Sequence, residues 1–243
     1  MVGLSAEMDR LLTELEADRN PSEQQISQHL ARAAGLLGLE GLAVSLVPPA
    51  GSIELLFYTG ALTAGLEDLQ YTQGQGPSMD AITAGRPVLI DDLGDRGTMR
   101  WADLLSSVEK IGVRAVFAFP MFLGAARFGV MTGHRTTPGP LGQQQLADGL
   151  ALASALTGLL TAFAAGAGAA GDFFAMDRDL YHSGVHQASG MVAAQLGISP
   201  ADALIRIRAH AYQSGHPLAE IATLILTRRL NLAADHPPDH HTP

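Results

Sequence analysis

The chain contains no cysteine, so it forms no disulfide and offers no thiolate to a metal or to a covalently held chromophore. Lys110 is its one lysine, and Trp101 its one tryptophan. Charged residues are scarce at 16%, but 47% of the chain is hydrophobic, and that balance excludes a disordered polymer. A basic n-region followed by an apolar core is also missing. Met1 leads into Leu4-Ser5-Ala6-Glu7, and the expected compartment is the cytoplasm. No block of basic residues offsets the net charge of −9, so binding to nucleic acid by phosphate attraction alone is expected to be weak. One run, Gly149 to Gly171, lacks charge for membrane-spanning length. Its second half is Ala and Gly, aspartates flank it, and no Lys or Arg cluster stands nearby. It reads as a helix running into a connector, with no membrane partner.

What is present divides into two regions and a tail. Residues 1–171 hold 17 acidic and 10 basic side chains, and residues 172–232 hold five of each. Before residue 164 the pattern mixes helix and strand. Leu4, Met8, Leu11 and Leu15 repeat at 4-3-4 spacing on an opening helix over residues 1–21, and Asn20-Pro21-Ser22 breaks it. A second helix follows to about Leu37. Alternation in Leu42–Val47 and Ile53–Tyr58 predicts a β-hairpin. Pro87–Ile90 reads as a short strand. Arg114–Phe119 and Phe128–Thr132 read as a second hairpin around Gly124-Ala125-Ala126. A last helix, about Leu141 to Phe163, carries Leu152, Leu156, Leu159 and Phe163 at the same 4-3-4 spacing. This predicts an α+β domain: an antiparallel sheet with flanking helices, at one face and at the ends. The two matched seams predict a homodimer through the opening helix and Leu152, Leu156, Leu159 and Phe163.

The last third carries three short helices with their punctuation. Gly197 closes the first. Ser199 caps the second, with Pro200 in its first turn and Asp202 as the acid of a capping box. Gly215 closes the second, and Pro217 opens a third that runs to about Leu230. The apolar stripes are Val185, Ala188, Val192, Leu196, then Ala203, Leu204, Ile207, Ala211, then Leu218, Ile221, Ala222, Ile225. Stripes of this kind predict a compact three-helix bundle.

The order Ala188-x-Gly190-Met191, Gly197-Ile198-Ser199, Ala203, Ile207-Arg208, Ala211 and Leu218-Ala219-x-Ile221-Ala222 resembles the ANTAR domain, over roughly residues 177–232. ANTAR domains commonly have Lys or Thr where this chain has Ser189, and many carry a second basic residue at the position of Ala209. The resemblance implies an RNA-binding module of bacterial transcription antiterminators, whose paired copies read the hexanucleotide loops of tandem RNA hairpins. The upstream stretch Leu69-Gln-Tyr-Thr-Gln-Gly-Gln-Gly-Pro-Ser-Met-Asp-Ala-Ile-Thr-Ala-Gly-Arg-Pro-Val-Leu-Ile-Asp-Asp-Leu93 is similar to GAF domains, over residues 22–163. Actinobacterial chains that join a GAF to an ANTAR domain look very like this. The implied layout is a GAF sensor, an Ala/Gly-rich connector at 164–176, an ANTAR domain at 177–232 and a disordered tail at 233–243.

Several residues offer chemistry. On the second helix of the last third, Arg208 and Tyr212 share a face, where arginine can hold a phosphate and tyrosine can stack on a base. Arg206 adds a second cation. Gln187 and Ser189 offer hydrogen bonds from the preceding helix, and Gly190 allows close approach of RNA or of another helix. Taken alone, this spacing fits an ordinary exposed face better than an RNA surface, and it is the resemblance that points to RNA. Trp101, Phe117, Phe119 and Phe122 have the bulk to line a small-molecule pocket, and equally the bulk to fill a core. Gly74 and Gly76 before Pro77 turn the chain into a helix start, which is either an anion site or a packed turn. His182 and His186 lie four apart without a third ligand, so no metal is expected. His236, His240 and His241 lie in the tail. Asp91-Asp92 point apart after a strand, and Ser78 is not in a nucleophile elbow. No nucleophile, base and oxyanion site assemble, and neither catalysis nor a cofactor is expected. The predicted function is therefore RNA-binding antitermination under control of a sensor. The alternatives are a ligand-binding or protein-interaction module without RNA binding, and a DNA-binding regulator.

Overall fold

The alternating segments pair as expected. In the computed structural model, which describes residues 3–18, 21–47, 53–94, 100–166 and 182–232, β1 (Gly41–Leu46) and β2 (Glu54–Tyr58) form one antiparallel hairpin. β4 (Ala115–Leu123) and β5 (Ala126–Arg135) form another, and β3 (Val88–Ile90) adds to β4. The five strands make one antiparallel sheet in the order β2-β1-β5-β4-β3. The chain divides into two units, residues 1–178 and 179–243.

In the first unit helices lie on both faces of the sheet, not on one face and the ends. Alternation along β4 decides which side chain goes where. Ala115, Phe117, Phe119 and Met121 point to a core shared with α1 (Ala6–Ala17), α2 (Glu23–Leu36) and α6 (Gln143–Gly166). Val116 points the other way, into a second core with Leu66, Trp101, Leu104 and Val108. That core lies beneath α3 (Ala61–Gln73) and α5 (Ala102–Lys110), beside α4 (Pro77–Ala84). Both faces are therefore covered, and β1 is buried along its whole length.

Most of the two 4-3-4 stripes is buried inside one chain, so five of the eight residues expected at a dimer seam fill the core instead. Met8, Leu11 and Leu15 of α1 and Leu152 and Leu156 of α6 are all buried in the same core, each 2% exposed or less. Leu4 is exposed and Leu159 half-buried, and the side chain of Phe163 lies outside the described residues. A helix stripe at this spacing fits a sheet as well as a second helix, and here the sheet takes it. Gly149 allows the approach: a Cβ there would stand 2.8 Å from the Phe119 ring. By length and composition the segment Gln143–Ala162 could cross a membrane, but Leu152, Leu156 and Leu160 on it are covered by this core.

Asp148 ties the two terminal helices together. Its carboxylate, almost fully buried, accepts from the Ser5 backbone N–H at 3.0 Å and the Ser5 hydroxyl at 2.7 Å. Ser5 in turn caps α1 by accepting from the Met8 N–H. Asp148→Ala is expected to leave these donors unmatched and to lower the stability of the first unit by about 1–2 kcal/mol, read as a shifted denaturation midpoint. Across the sheet, Arg135 donates to the carbonyls of Leu37, Gly38, Gly139 and Pro140, clipping the end of α2 to the entry of α6.

In the second unit the stripes read from the sequence are buried with one half-buried member, Leu196. The helices are α7 (Ser183–Leu196), α8 (Pro200–Ser214) and α9 (Leu218–Leu226). Gly197 and Gly215 are left-handed at the helix ends, and the Ser199 hydroxyl accepts from the Asp202 N–H at 3.1 Å. The third helix stops four residues earlier than its composition suggests. Arg228 turns left-handed at φ 58°, and the N–H groups of Arg229 and Leu230 both donate to the Leu224 carbonyl.

Candidate functional site

α8 presents the densest group of nominated residues. Its apolar stripe, Ala203, Leu204, Ile207 and Ala211, faces the bundle, so the residues between these positions face out. Tyr212 is 76% exposed and Arg206 is exposed, whereas Arg208 is half-buried. Ile205 was not singled out from the sequence, yet it is 60% exposed. Its signal was available: it is an isoleucine off the stripe. With Ala209, Ile205 and Tyr212 form an exposed apolar strip at 4-3 spacing along α8.

On α7, Gln187 and Gly190 are exposed, three apart on one side. A Cβ at Gly190 would meet nothing within 4 Å, so no neighbouring helix of the unit requires that glycine. Ser189 is buried instead, and its hydroxyl donates to the His186 carbonyl at 2.9 Å. Buried and turned back on its own helix, that hydroxyl is not available to an outside ligand. His182 takes the N-cap position of α7 with its side chain buried, and no group of three metal-ligating side chains occurs among the described residues.

In the first unit the three aromatics proposed to line a pocket do not come together. Phe117 and Phe119 lie in the core under α1, α2 and α6, and Trp101 lies in the core on the opposite face of the sheet. All three are buried among aliphatic side chains, and the Arg135 guanidinium sits 5.3 Å from the centre of the Phe117 ring. The core reading of these residues replaces the pocket reading. Phe122 is partly exposed at the far end of β4.

The turn before α4 is built by glycine and closed by the chain itself. Gly76 has φ +139°, and a Cβ on it would stand 2.5 Å from Gln70 Oε1. Gln70 Oε1 accepts from the Ser78 N–H at 2.8 Å, so a side chain from α3 satisfies the start of α4, where no residue of the turn does. Around it lies a buried polar cluster that sequence reasoning did not find. Glu67 accepts from Gln70 Nε2 at 2.8 Å, from the Ser78 hydroxyl at 3.2 Å and from the Ser45 hydroxyl at 3.3 Å. The Ser78 and Thr132 hydroxyls share a 2.7 Å hydrogen bond. Burial pushes the Glu67 carboxyl up to about 7, against hydrogen bonding by Ser78, Ser45, Thr132 and Gln70, all four of which pull it down. Asp92 is a surface partner: hydrogen bonds from Arg114 and from the Gly94 N–H hold its carboxyl below the usual range.

Two family models match the chain: a GAF domain over residues 22–170 and an ANTAR domain over residues 181–226. No curated protein matches. Among solved structures, the first unit is similar to the GAF domain of an Acinetobacter phosphoenolpyruvate-protein phosphotransferase, at 12% identity and a TM-score of 0.49, over 67% of this chain and 94% of that one. It is also similar to free methionine-R-sulfoxide reductase from Neisseria meningitidis, at 15% identity and a TM-score of 0.49, over 67% of this chain and 96% of that one. A domain of a two-component sensor histidine kinase from Sinorhizobium meliloti matches at 18% identity and a TM-score of 0.48, over 60% of this chain and 96% of that one.

Proposed function

The chain belongs to the GAF domain family and carries an ANTAR domain downstream, and from that premise we propose that it is an RNA-binding transcription antitermination regulator. The GAF domain senses a small molecule or a protein partner. The ANTAR domain reads the loops of paired RNA hairpins, and the protein works as a cytoplasmic homodimer. The observation that carries the reading is the outward face of α8. Tyr212 stands almost free of its own unit one turn from Arg208, and Arg206 is exposed on another side of the helix. A bare aromatic next to a cation suits splayed loop bases, which are bound by stacking and hydrogen bonding. Gln187 and Gly190 on α7 are the accessible contributors from the first helix, and Ser189 supports the helix from within. The dimer uses the groove between α1 and α6, about 720 Å³, floored by Ala151, Ala155, Gly158 and Ala162 and edged by Leu12 and Leu159. Small side chains in 4-3-4 order let a helix of a second copy approach closely.

The test is a gel shift with a tandem-hairpin RNA, a loop-scrambled copy and duplex DNA. Preference for the intact loops is expected. Equal affinity for all three removes specific RNA recognition, and preference for the duplex selects the DNA-binding reading. A protein partner is the second reading, favoured by Ile205, which offers a base no hydrogen bond. No binding to any nucleic acid by a folded dimer selects it. Sedimentation checks the assembly, and a monomer at about 10–100 μM removes the dimer.

A further inference from the structure

Glu67 is fully buried, yet among the described residues no cation faces it. Its carboxyl is held by side chains from four different elements: Gln70 on its own helix α3, Ser45 on β1 and Ser78 on α4, with Thr132 on β5 behind Ser78. These partners are 22, 11 and 54 positions apart in their pairings. Hydroxyls and an amide can solvate either state of the group, but only the neutral carboxyl avoids a bare charge between a helix and a sheet. We propose that the Glu67 carboxyl is a proton-operated latch between α3, α4 and the sheet, closed when it carries its proton and loosened when it loses it. The latch goes beyond the sensor reading above, because it requires neither a bound molecule nor RNA.

The geometry accounts for both positions. Protonated, Oε2 can donate to the Ser45 hydroxyl at 3.3 Å while Oε1 continues to accept from Gln70 and Ser78. Gln70 also holds the start of α4 through the Ser78 N–H, so disturbance at Glu67 passes directly to the first turn of α4. Ionised, the carboxylate has neutral donors alone, and water is the remaining means of solvating it. Of the other titratable groups on the surrounding elements, Tyr71 shares the buried face of α3 with Glu67 and carries no positive charge. Asp80 on α4 is paired with Arg100 at 2.9 Å. Asp68 and Tyr71 are on α3, Glu54 and Tyr58 on β2, Asp103, Glu109 and Lys110 on α5, and Arg127 and Arg135 on β5; β1 and β4 carry none. None of these bears on the proton affinity of Glu67, which burial and the four hydrogen-bonding side chains set.

His134 on β5 shares the sheet face of Thr132 and is likewise buried, with Nδ1 unmatched. Burial lowers its proton affinity, so its contribution to stability is present above the ordinary imidazole range and is lost on acidification. Glu67 has the opposite sign. Its folded-state value lies above the unfolded one, so its contribution is complete below about 4.5 and is lost as pH rises through about 7. The two groups can therefore be separated by the direction of pH change.

The experiment uses the full chain labelled with ¹³C at the glutamate carboxyls, followed from pH 5 to 9, with amide exchange measured in the same samples. One carboxyl is expected to titrate near neutrality and to vanish in Glu67→Gln. After correction for intrinsic exchange, amides in 66–70 and 78–81 are expected to open about tenfold more at pH 8 than at pH 6, while amides in the middle of α6 do not. In Glu67→Gln that pH dependence should be gone, and in His134→Gln it should remain. A Glu67 midpoint in the ordinary carboxyl range overturns the latch, as does equal loosening of α6, or loosening that persists in Glu67→Gln. Should Glu67→Gln not fold, the titration and exchange of the natural chain decide alone.

Discussion

Tyr212→Ala is expected to weaken binding to a tandem-hairpin RNA by about 1–3 kcal/mol for each base that stacks on the ring, while leaving the unfolding free energy unchanged within about 0.5 kcal/mol. The separation rests on exposure: Tyr212 is 76% accessible, so removing its ring creates no cavity in the bundle. Arg208→Ala is expected to cost a similar amount and to depend more on loop sequence, as a contact to a base edge does. Arg208 is half-buried, so its stability must be measured beside its affinity. The domain has five acidic and five basic side chains over residues 172–232, and the dependence of affinity on salt should be shallow for a nucleic-acid binder. A Tyr212→Ala protein that binds the intact and scrambled loops as the natural chain does would remove α8 from the RNA interface. A steep salt dependence would instead point to phosphate contacts outside it.

Phe117→Ala is expected to destabilise the first unit by about 3–5 kcal/mol, which for a domain of ordinary stability is a large share of the total. The ring is completely buried among side chains of the core under α1, α2 and α6, and Arg135 covers one face. Truncation leaves a hole that neither a sheet nor three packed helices can collapse to fill. Trp101→Ala should be damaging through the opposite core, where Leu66, Leu104 and Val108 surround it. Chemical denaturation of each variant checks both. Had these aromatics lined a ligand pocket, their loss would reduce ligand affinity and spare the fold, so an unchanged denaturation midpoint for Phe117→Ala would restore the pocket reading.

The helix α3 shows one physical limit of reading a sequence. α3 was not legible because its buried face is not apolar: Thr63, Glu67 and Gln70 are buried on it with Ala64, Leu66 and Tyr71. A search for apolar periodicity passes over a helix whose inner face carries a polar cluster. The burial of residues expected at a dimer seam has the converse cause. Leu152 and Leu156 keep the spacing of a coiled coil, but the spacing says only that one side of the helix is apolar. Ser189 falls between these cases. It is three residues from His186, and a serine inside a helix can bond back to its own backbone, as it does here.

What the sequence determined by itself is local. Helix ends at Gly197 and Gly215, the cap at Ser199, the bundle stripes and both hairpins follow from residues a few positions apart, because capping, left-handed turns and side-chain alternation are properties of short stretches of backbone. Tertiary structure decided which surface each stripe meets. It covered both faces of the sheet, sent Trp101 and Phe117 into separate cores, turned the α1 and α6 stripes inward and left Ile205 and Tyr212 outside. It also brought Ser45, Glu67, Ser78 and Thr132 into one buried cluster. Those outcomes depend on contacts between distant parts of the chain, and burial, with the proton affinity it imposes, exists only once the layers have closed.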